Sequence, residues 1–268
     1  MSDTEDVLYL DSKEELAKKK SYPSLQPGNY LFRIVKVIPE LAPKWANNKP
    51  VAGKFEFGYR ICCSAVRTES GDPMLDTEGN EVAPLTRIVA RRNINPKSIG
   101  FKKDGSPSLL RSFVSTLEGS NIQERIACPS FVVISPDGEL IDDKEYKAKI
   151  LAELNGKAQK ELLNQGFYAV PDLRIYEGRY VGASIEVNEG GYENITKFGK
   201  VPNSFVKPSQ QAIEEFNINV LPKYLEKQPA KTAQSYNSSG GSASKEEVDK
   251  VFGNEDVGEV EMPEVAIS

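Results

Sequence analysis

Apolar and polar positions alternate with a period of two over much of the N-terminal half of the chain, which is the signature of strands. After the turn signal Pro27-Gly28, residues 29–38 (NYLFRIVKVI) place Tyr30, Phe32 and Ile34 on one face. Leu31, Arg33, Val35 and Val37 fall on the other, so both faces are partly apolar. A loop holding Pro39, Pro43, Trp45 and Pro50 is expected next. Residues 53–66 (GKFEFGYRICCSAV) read as a second long strand, with Phe55, Phe57 and Tyr59 on one face and Lys54 and Glu56 on the other. A Gly/Asp/Asn/Pro-rich loop leads to a third strand at 85–93.

The period then changes. Residues 106–117 (SPSLLRSFVSTL) predict a helix with Ser106 as cap and Pro107 at the first helical position. Leu109, Leu110, Phe113, Val114 and Leu117 form its apolar stripe. A short apolar strand is expected at 131–134, and a charged, largely helical insertion at 142–164, interrupted at Gly156. Strands at 180–187 and 192–198 flank the hairpin signal Asn188-Glu189-Gly190-Gly191. The expected class is mainly β (β+α). Three strands, a helix, an insertion and a closing hairpin match a five-stranded OB-fold Greek-key barrel with its helix between strands 3 and 4. A generic β-barrel or an α+β sheet fits the same string.

The ends differ from this body. Residues 1–20 are a polar arm in which 12–20 (SKEELAKKK) read as a short exposed helix, with Ser12 as cap and Glu15 in the capping-box position. Residues 21–228 form the expected domain, with an insertion at about 135–176. Residues 229–268 are a Gly/Ser linker and a tail too polar to bury a core, hence expected to be disordered.

Charge sharpens that division. The net charge is −5, yet the last 26 residues carry −6 and the rest +1. The acidity therefore belongs to the tail, and acidic appendages of this kind accompany domains that meet nucleic acid. Glu246, Glu247, Asp249, Phe252, Glu255 and Asp256 are its candidate partner-binding residues.

Chemistry-bearing residues are few. The chain has no histidine, which removes Ser-His-Asp and Cys-His catalysis and every histidine-ligated metal site. Its three cysteines show no CxxC spacing and read as small apolar residues in a reducing compartment. No catalytic residue, metal or cofactor is expected, and the protein is expected not to be an enzyme. One acidic loop (Asp72, Asp76, Glu78, Glu81) offers carboxylates for a hard cation, at a spacing that matches no metal motif. There is no apolar run long enough for a membrane span and no leader pattern at Met1, so a cytoplasmic location is expected.

Single-strand binding needs cations along a backbone and aromatic faces for bases. Residues 82–111 hold seven bases (Arg87, Arg91, Arg92, Lys97, Lys102, Lys103, Arg111) against one acid, Asp104, with Phe101 embedded among them. Trp45, the sole tryptophan, lies near Lys44 and Lys49, as a stacking platform or as a plug on the core. Lys54, Phe57 and Tyr59 of the second strand are candidates as well, although three aromatics in a row also suit a core. Lys197, Phe198, Lys200, Phe205 and Lys207 make a smaller aromatic–basic cluster.

Three segments carry a family likeness: LQPGNYLFRIVKV (25–37), SPSLLRSFVSTLEG (106–119) and EGRYVGASIEVNEGGYENITKFGKVP (177–202). Together they cover about a fifth of the chain, in order. On these segments the chain resembles phage-encoded single-stranded-DNA-binding proteins with an OB fold. It also resembles the small phage OB-type proteins found near replication genes. The resemblance implies sequence-tolerant binding and protection of single-stranded DNA in replication, recombination or repair, in the host cytoplasm. It further implies a tail that modulates DNA access and recruits replication or recombination proteins. Tails of that class end in an aspartate-rich run with a terminal phenylalanine, whereas this chain ends Val265-Ala266-Ile267-Ser268. The competing expectation is a phage structural or accessory module that binds protein and no nucleic acid.

Overall fold

The computed structural model describes residues 23–46, 49–96, 100–126, 128–141, 143–154, 159–188 and 191–228; side chains within 42–55, at 93, 154, 159 and 160 are outside it. The expected N-terminal helix, the linker, the acidic tail and the interruption at Gly156 lie outside the described residues.

The protein is β-rich, and its ladders are antiparallel. Strands β1 (Gly28–Ala46), β2 (Lys49–Thr68), β5 (Ile88–Ile94), β9 (Tyr180–Val187) and β10 (Glu193–Gly199) form one sheet in the order β10-β9-β1-β2-β5. No ladder joins the outer strands β5 and β10 among the described residues, so the sheet is not closed by hydrogen-bonded pairing. Its edges nevertheless meet: Arg91 Nη1 on β5 donates to Asn194 Oδ1 on β10 at 3.1 Å.

Strand β1 explains much of the packing. Tyr30, Phe32 and Ile34 enter the main core as expected. A register shift between Ile34 and Lys36 then inserts an extra residue, and Val37 joins the same face instead of the opposite one. Val35 and Ile38 bury on the other side of the sheet with Cys62 and Val66 of β2. The adjacent thiols Cys62 and Cys63 accordingly point into different cores. Burial pushes the Cys62 thiol up to about 11, so it is an uncharged packing group at neutral pH.

The expected proline loop is instead a continuation of both strands. Pro39 lies opposite Tyr59, Pro43 opposite Phe55 and Trp45 opposite Pro50, with a register shift between Pro43 and Trp45. Pairing of β1 with β9 ends at Arg33 and that of β2 with β5 at Tyr59, so among the described residues no further strand pairs with the two-stranded hairpin beyond. Edge positions tolerate proline because no neighbouring strand needs its missing N–H.

Each face of the sheet has its own cover. Helix α1 (Leu109–Glu118) sends Leu110, Phe113, Val114 and Leu117 into the main core, where Phe113 stands edge-on to Tyr176 at 5.6 Å and to Phe198 at 4.7 Å. It starts later than expected. Ser108, not Ser106, caps it by accepting from Arg111 N at 3.1 Å, because Pro107 is drawn into a bridge with Phe101. The insertion adds a sheet of order β7-β6-β8, from β6 (Phe131–Ile134), β7 (Leu140–Ile141) and β8 (Tyr168–Pro171). Val132 and Ile134 of β6 face the main core; Val133 faces Ile150 of α2 (Lys144–Leu154) and Leu162 of α3 (Gln159–Asn164).

Two helices that the pattern reading did not anticipate, α4 (Gln210–Asn219) and α5 (Leu221–Lys227), cover the other face of β1, β2 and β5. Phe216 anchors them at 2% exposure, among Val35, Ile38, Cys62, Val66 and Leu85. Under them lies a buried ion pair, Arg60 Nε to Glu40 Oε2 at 3.3 Å. None of the described helices is long and apolar enough to cross a membrane.

Phe113 fills the centre of the main core with no exposure. Phe113→Ala is expected to cost about 3–5 kcal/mol, read as a lowered urea midpoint with an unchanged slope.

Candidate nucleic-acid interface

The candidate interface is built on the connection from β5 to α1. Gly100 O accepts from Ser108 N at 3.0 Å, and Phe101 bridges to Pro107, so the connection folds back on itself. Lys102 N donates to Ser106 O at 2.7 Å and Gly105 N to Lys102 O at 2.9 Å. Gly105 sits at φ +80°, a backbone state that an L side chain strains to adopt, so glycine suits this turn. Asp104 Oδ1 completes it by accepting from Ser106 Oγ at 2.6 Å and Ser106 N at 2.8 Å. These bonds, the hydroxyl's first, hold its carboxyl below the usual range. The result is a tight turn with Lys102 and Lys103 exposed at its tip.

Phe101 is half-buried beside that turn. Arg111, on the first turn of α1, lies over its ring at 4.4 Å from the centroid. The guanidinium is itself fixed, with Nε donating to Ile122 O at 2.6 Å and Nη2 to Glu124 O at 2.5 Å. Phe101 is thus a half-buried ring with a positioned cation over one face, beside two exposed ammonium groups. Arg111 was counted in the basic stretch, but its place over Phe101 was not foreseen. That place follows from its position three residues after the true cap Ser108, which depends on where the helix starts.

The other candidates separate by role. Phe57 and Tyr59 are core residues at 5% and 0% exposure, packed edge-on at 5.1 Å, with Tyr59 Oη donating to Pro171 O at 3.1 Å. Their expected stacking role is corrected: the face they share points inward, where no base reaches. The basic stretch is likewise not one continuous surface. Arg87 donates to Pro23 O and lies 3.8 Å from Asp76. Arg91 is 6% exposed and spans to Asn194. Arg92, on the opposite face of β5, donates to Gln228 at the end of α5. These three arginines hold the body together. Lys197, on β10 opposite Ser184, and Lys200, just beyond it, are exposed. Lys44, Trp45 and Lys54 have described backbones in the β1–β2 ribbon, and their side chains lie outside the described residues, as does all of Lys97. The tail residues Glu246, Glu247, Asp249, Phe252, Glu255 and Asp256 are also outside.

The acidic loop has a structural use. Asp76 Oδ1 accepts from Glu78 N and Asn80 N, both at 2.9 Å, within the hairpin from β3 (Met74–Leu75) to β4 (Glu81–Val82). Burial alone raises this carboxyl, but the bonds from Asn80 and Glu78 and the charge of Arg87 outweigh it, and the group is held below its ordinary range. Among the described residues no group of His, Cys, Asp or Glu gathers as a metal site.

Comparison with family models, with curated proteins and with solved structures returned no match.

The division of the cations is directly measurable. Arg91→Ala is expected to destabilise by about 1.5–3 kcal/mol, through loss of a charged hydrogen bond between strands. Lys102→Ala is expected to stay within about 0.5 kcal/mol of the parent. Urea midpoints of the two variants give the comparison.

Proposed function

We propose that this protein binds single-stranded DNA without catalysing a reaction, in a sequence-tolerant manner. The observation that carries the reading is the Arg111-backed ring of Phe101 beside the exposed Lys102 and Lys103. A ring fixed from one side stacks a base at little further ordering cost, and the adjacent ammonium groups meet its phosphates. Any base has a π face, so such a contact tolerates sequence.

The finer fold reading is part of the same proposal. The order β10-β9-β1-β2-β5, with α1 between β5 and β9, corresponds to OB-fold strands 5-4-1-2-3. The meeting of β5 and β10 at Arg91 and Asn194 suits a barrel seam there. In that fold the first hairpin and the strand 2–3 face commonly bind oligonucleotides. Here the outer face of β1, β2 and β5 lies under α4 and α5. The strand is therefore assigned to the β5–α1 connection, with the ribbon carrying Lys44, Trp45 and Lys54 and the exposed Lys197 and Lys200 as flanking contacts. The acidic tail is read as a modulator of DNA access and a recruiter of replication or recombination proteins in a phage-infected cell.

The test is a salt-titrated binding series on oligo-dT and oligo-U. Wild-type protein is expected to bind oligo-dT, more weakly as salt rises and more tightly once residues 230–268 are removed. Phe101→Ala should cost about 1–3 kcal/mol of affinity, and Lys102→Ala/Lys103→Ala should lower the log–log salt slope by about 1.4. Absence of oligonucleotide affinity at low salt in the tail-less protein sinks the proposal. Stable co-purification with a protein partner in that case would favour the interaction-module reading.

A further inference from the structure

The aromatic–basic cluster near the end of the sheet divides in two. Phe198 is core, at 3% exposure. Phe205 is not: it packs on Tyr180 at 5.0 Å between ring centroids, on the outer side of the sheet. The guanidinium of Arg67 lies over the Phe205 ring at 5.4 Å, and Lys207 Nζ is 5.9 Å from the centroid of Tyr180. Arg33 pairs with Tyr180 across the β1–β9 ladder. Two adjoining rings are therefore held between two cations, with a third cation alongside.

These cations are not consumed as the three structural arginines are. Arg33, Arg67 and Lys207 have no hydrogen-bond or ion-pair partner among the described residues, and Arg67 Nε is buried without one. Lys207 is exposed, and Arg33, Tyr180 and Phe205 are partly so. Bracing the connection from β10 to α4 onto the sheet accounts for Phe205 on Tyr180. It gives no reason for three cations with no anion between them.

The position is informative as well. Arg179, next to Tyr180, pairs with Glu118 at 3.2 Å and donates to Leu117 O. Arg179 therefore turns inward to the C-terminal end of α1, and Tyr180, the next residue, carries the cluster on the opposite face of the sheet, whereas Phe101 and Arg111 lie at the N-terminal end of α1. A helix of this length spans about 15 Å. At about 3.4 Å per stacked nucleotide the helix alone corresponds to four or five nucleotides, so a strand that also passes to the other face of the sheet must be longer, within the footprint of about 4–16 nucleotides typical of OB-type surfaces.

We infer that Arg33, Arg67, Tyr180, Phe205 and Lys207 form a second nucleic-acid contact on the sheet face opposite α1, and that a DNA strand long enough to pass from one face to the other engages both it and the Phe101 platform. The inference rests on the single-strand-binding reading and adds a second site and a minimum length. A strand of about four nucleotides engages Phe101 alone, and one of about fifteen engages both contacts.

The experiment compares labelled dT4 and dT15 at a series of low salt concentrations, with full-length protein. The test variant is Arg33→Ala/Lys207→Ala, which spares the packed rings; Lys102→Ala/Lys103→Ala is the comparison. The test variant is expected to keep the wild-type urea midpoint and dT4 affinity. On dT15 it should lose about ten-fold in affinity and about 1.4 in log–log salt slope. The comparison variant should weaken both lengths. Unchanged dT15 affinity and slope in the test variant overturn the second contact and leave the Phe101 site standing. Equal losses on dT4 and dT15 also overturn it, since the two clusters would then act as one short site. If wild-type protein binds neither oligonucleotide, the single-strand reading itself fails, and the second contact with it.

Discussion

The constraint on which the structure turns is that β1 and β2 are apolar on both faces. Tyr30, Phe32, Ile34, Phe57, Tyr59, Ile61 and Cys63 bury on one side; Val35, Ile38, Cys62 and Val66 bury on the other. A sheet of this kind gains from burial only when it is covered twice. On the inner side the curled sheet, α1 and the β6 face of the insertion supply the cover. On the outer side α4 and α5 supply it. The bulge between Ile34 and Lys36 belongs to the same constraint, because it moves Val37 to the inner face while Lys36 turns out to meet Glu177 at 3.1 Å.

Double coverage decides what the cations are free to do. A buried arginine must be paired, since its guanidinium cannot give up its charge. Arg60 meets Glu40 beneath α4 and α5, Arg91 spans two strands, and Arg92 reaches the end of α5. Each fixes one element against another at the cost of desolvation, and none is left to meet a ligand. Exposed cations with no hydrogen-bond or ion-pair partner among the described residues include Lys102 and Lys103 in the turn that leads into α1, Lys197 and Lys200 on β10 and beyond it, and Lys207 beside the ring of Tyr180. The near-neutral charge of the body therefore hides a division of labour among its bases.

This division was the least legible part of the sequence. Strands β1, β2, β9 and β10 were readable from their alternation and the turns beside them, and β9 falls on its expected residues. Alternation assigns faces only until a register shift, so Val37 was placed on the wrong one. The basic stretch from Arg87 to Arg111 looked like one feature because composition carries no direction, whereas the strand turns Arg91 and Arg92 to opposite sides. The ribbon was hidden by Pro39, Pro43 and Pro50, which read as breakers although edge positions tolerate them. Helices α4 and α5 carried a usable signal: Ser209 as cap, then Ala212, Ile213, Phe216, Val220 and Tyr224 at helical spacing. Four polar residues (Gln210, Gln211, Glu214, Glu215) and Pro222 masked it, and only the outer face of the sheet supplies the partner that makes the stripe worth burying.

The same geometry makes α1 a rigid reference for the turn that precedes it. Its inner face is committed to the core through Phe113, which ties it to Tyr176 in the 3-10 turn (Leu173–Tyr176) and to Phe198 on β10. Its N-terminal turn holds Arg111 against Phe101, and its C-terminal turn is tied to Arg179 beside Tyr180. The Phe101 cluster is therefore referenced to α1, whereas the Tyr180–Phe205 cluster is referenced through β9 to the other face of the sheet. Side chains held in this way by packed elements lose little further freedom on meeting any ligand.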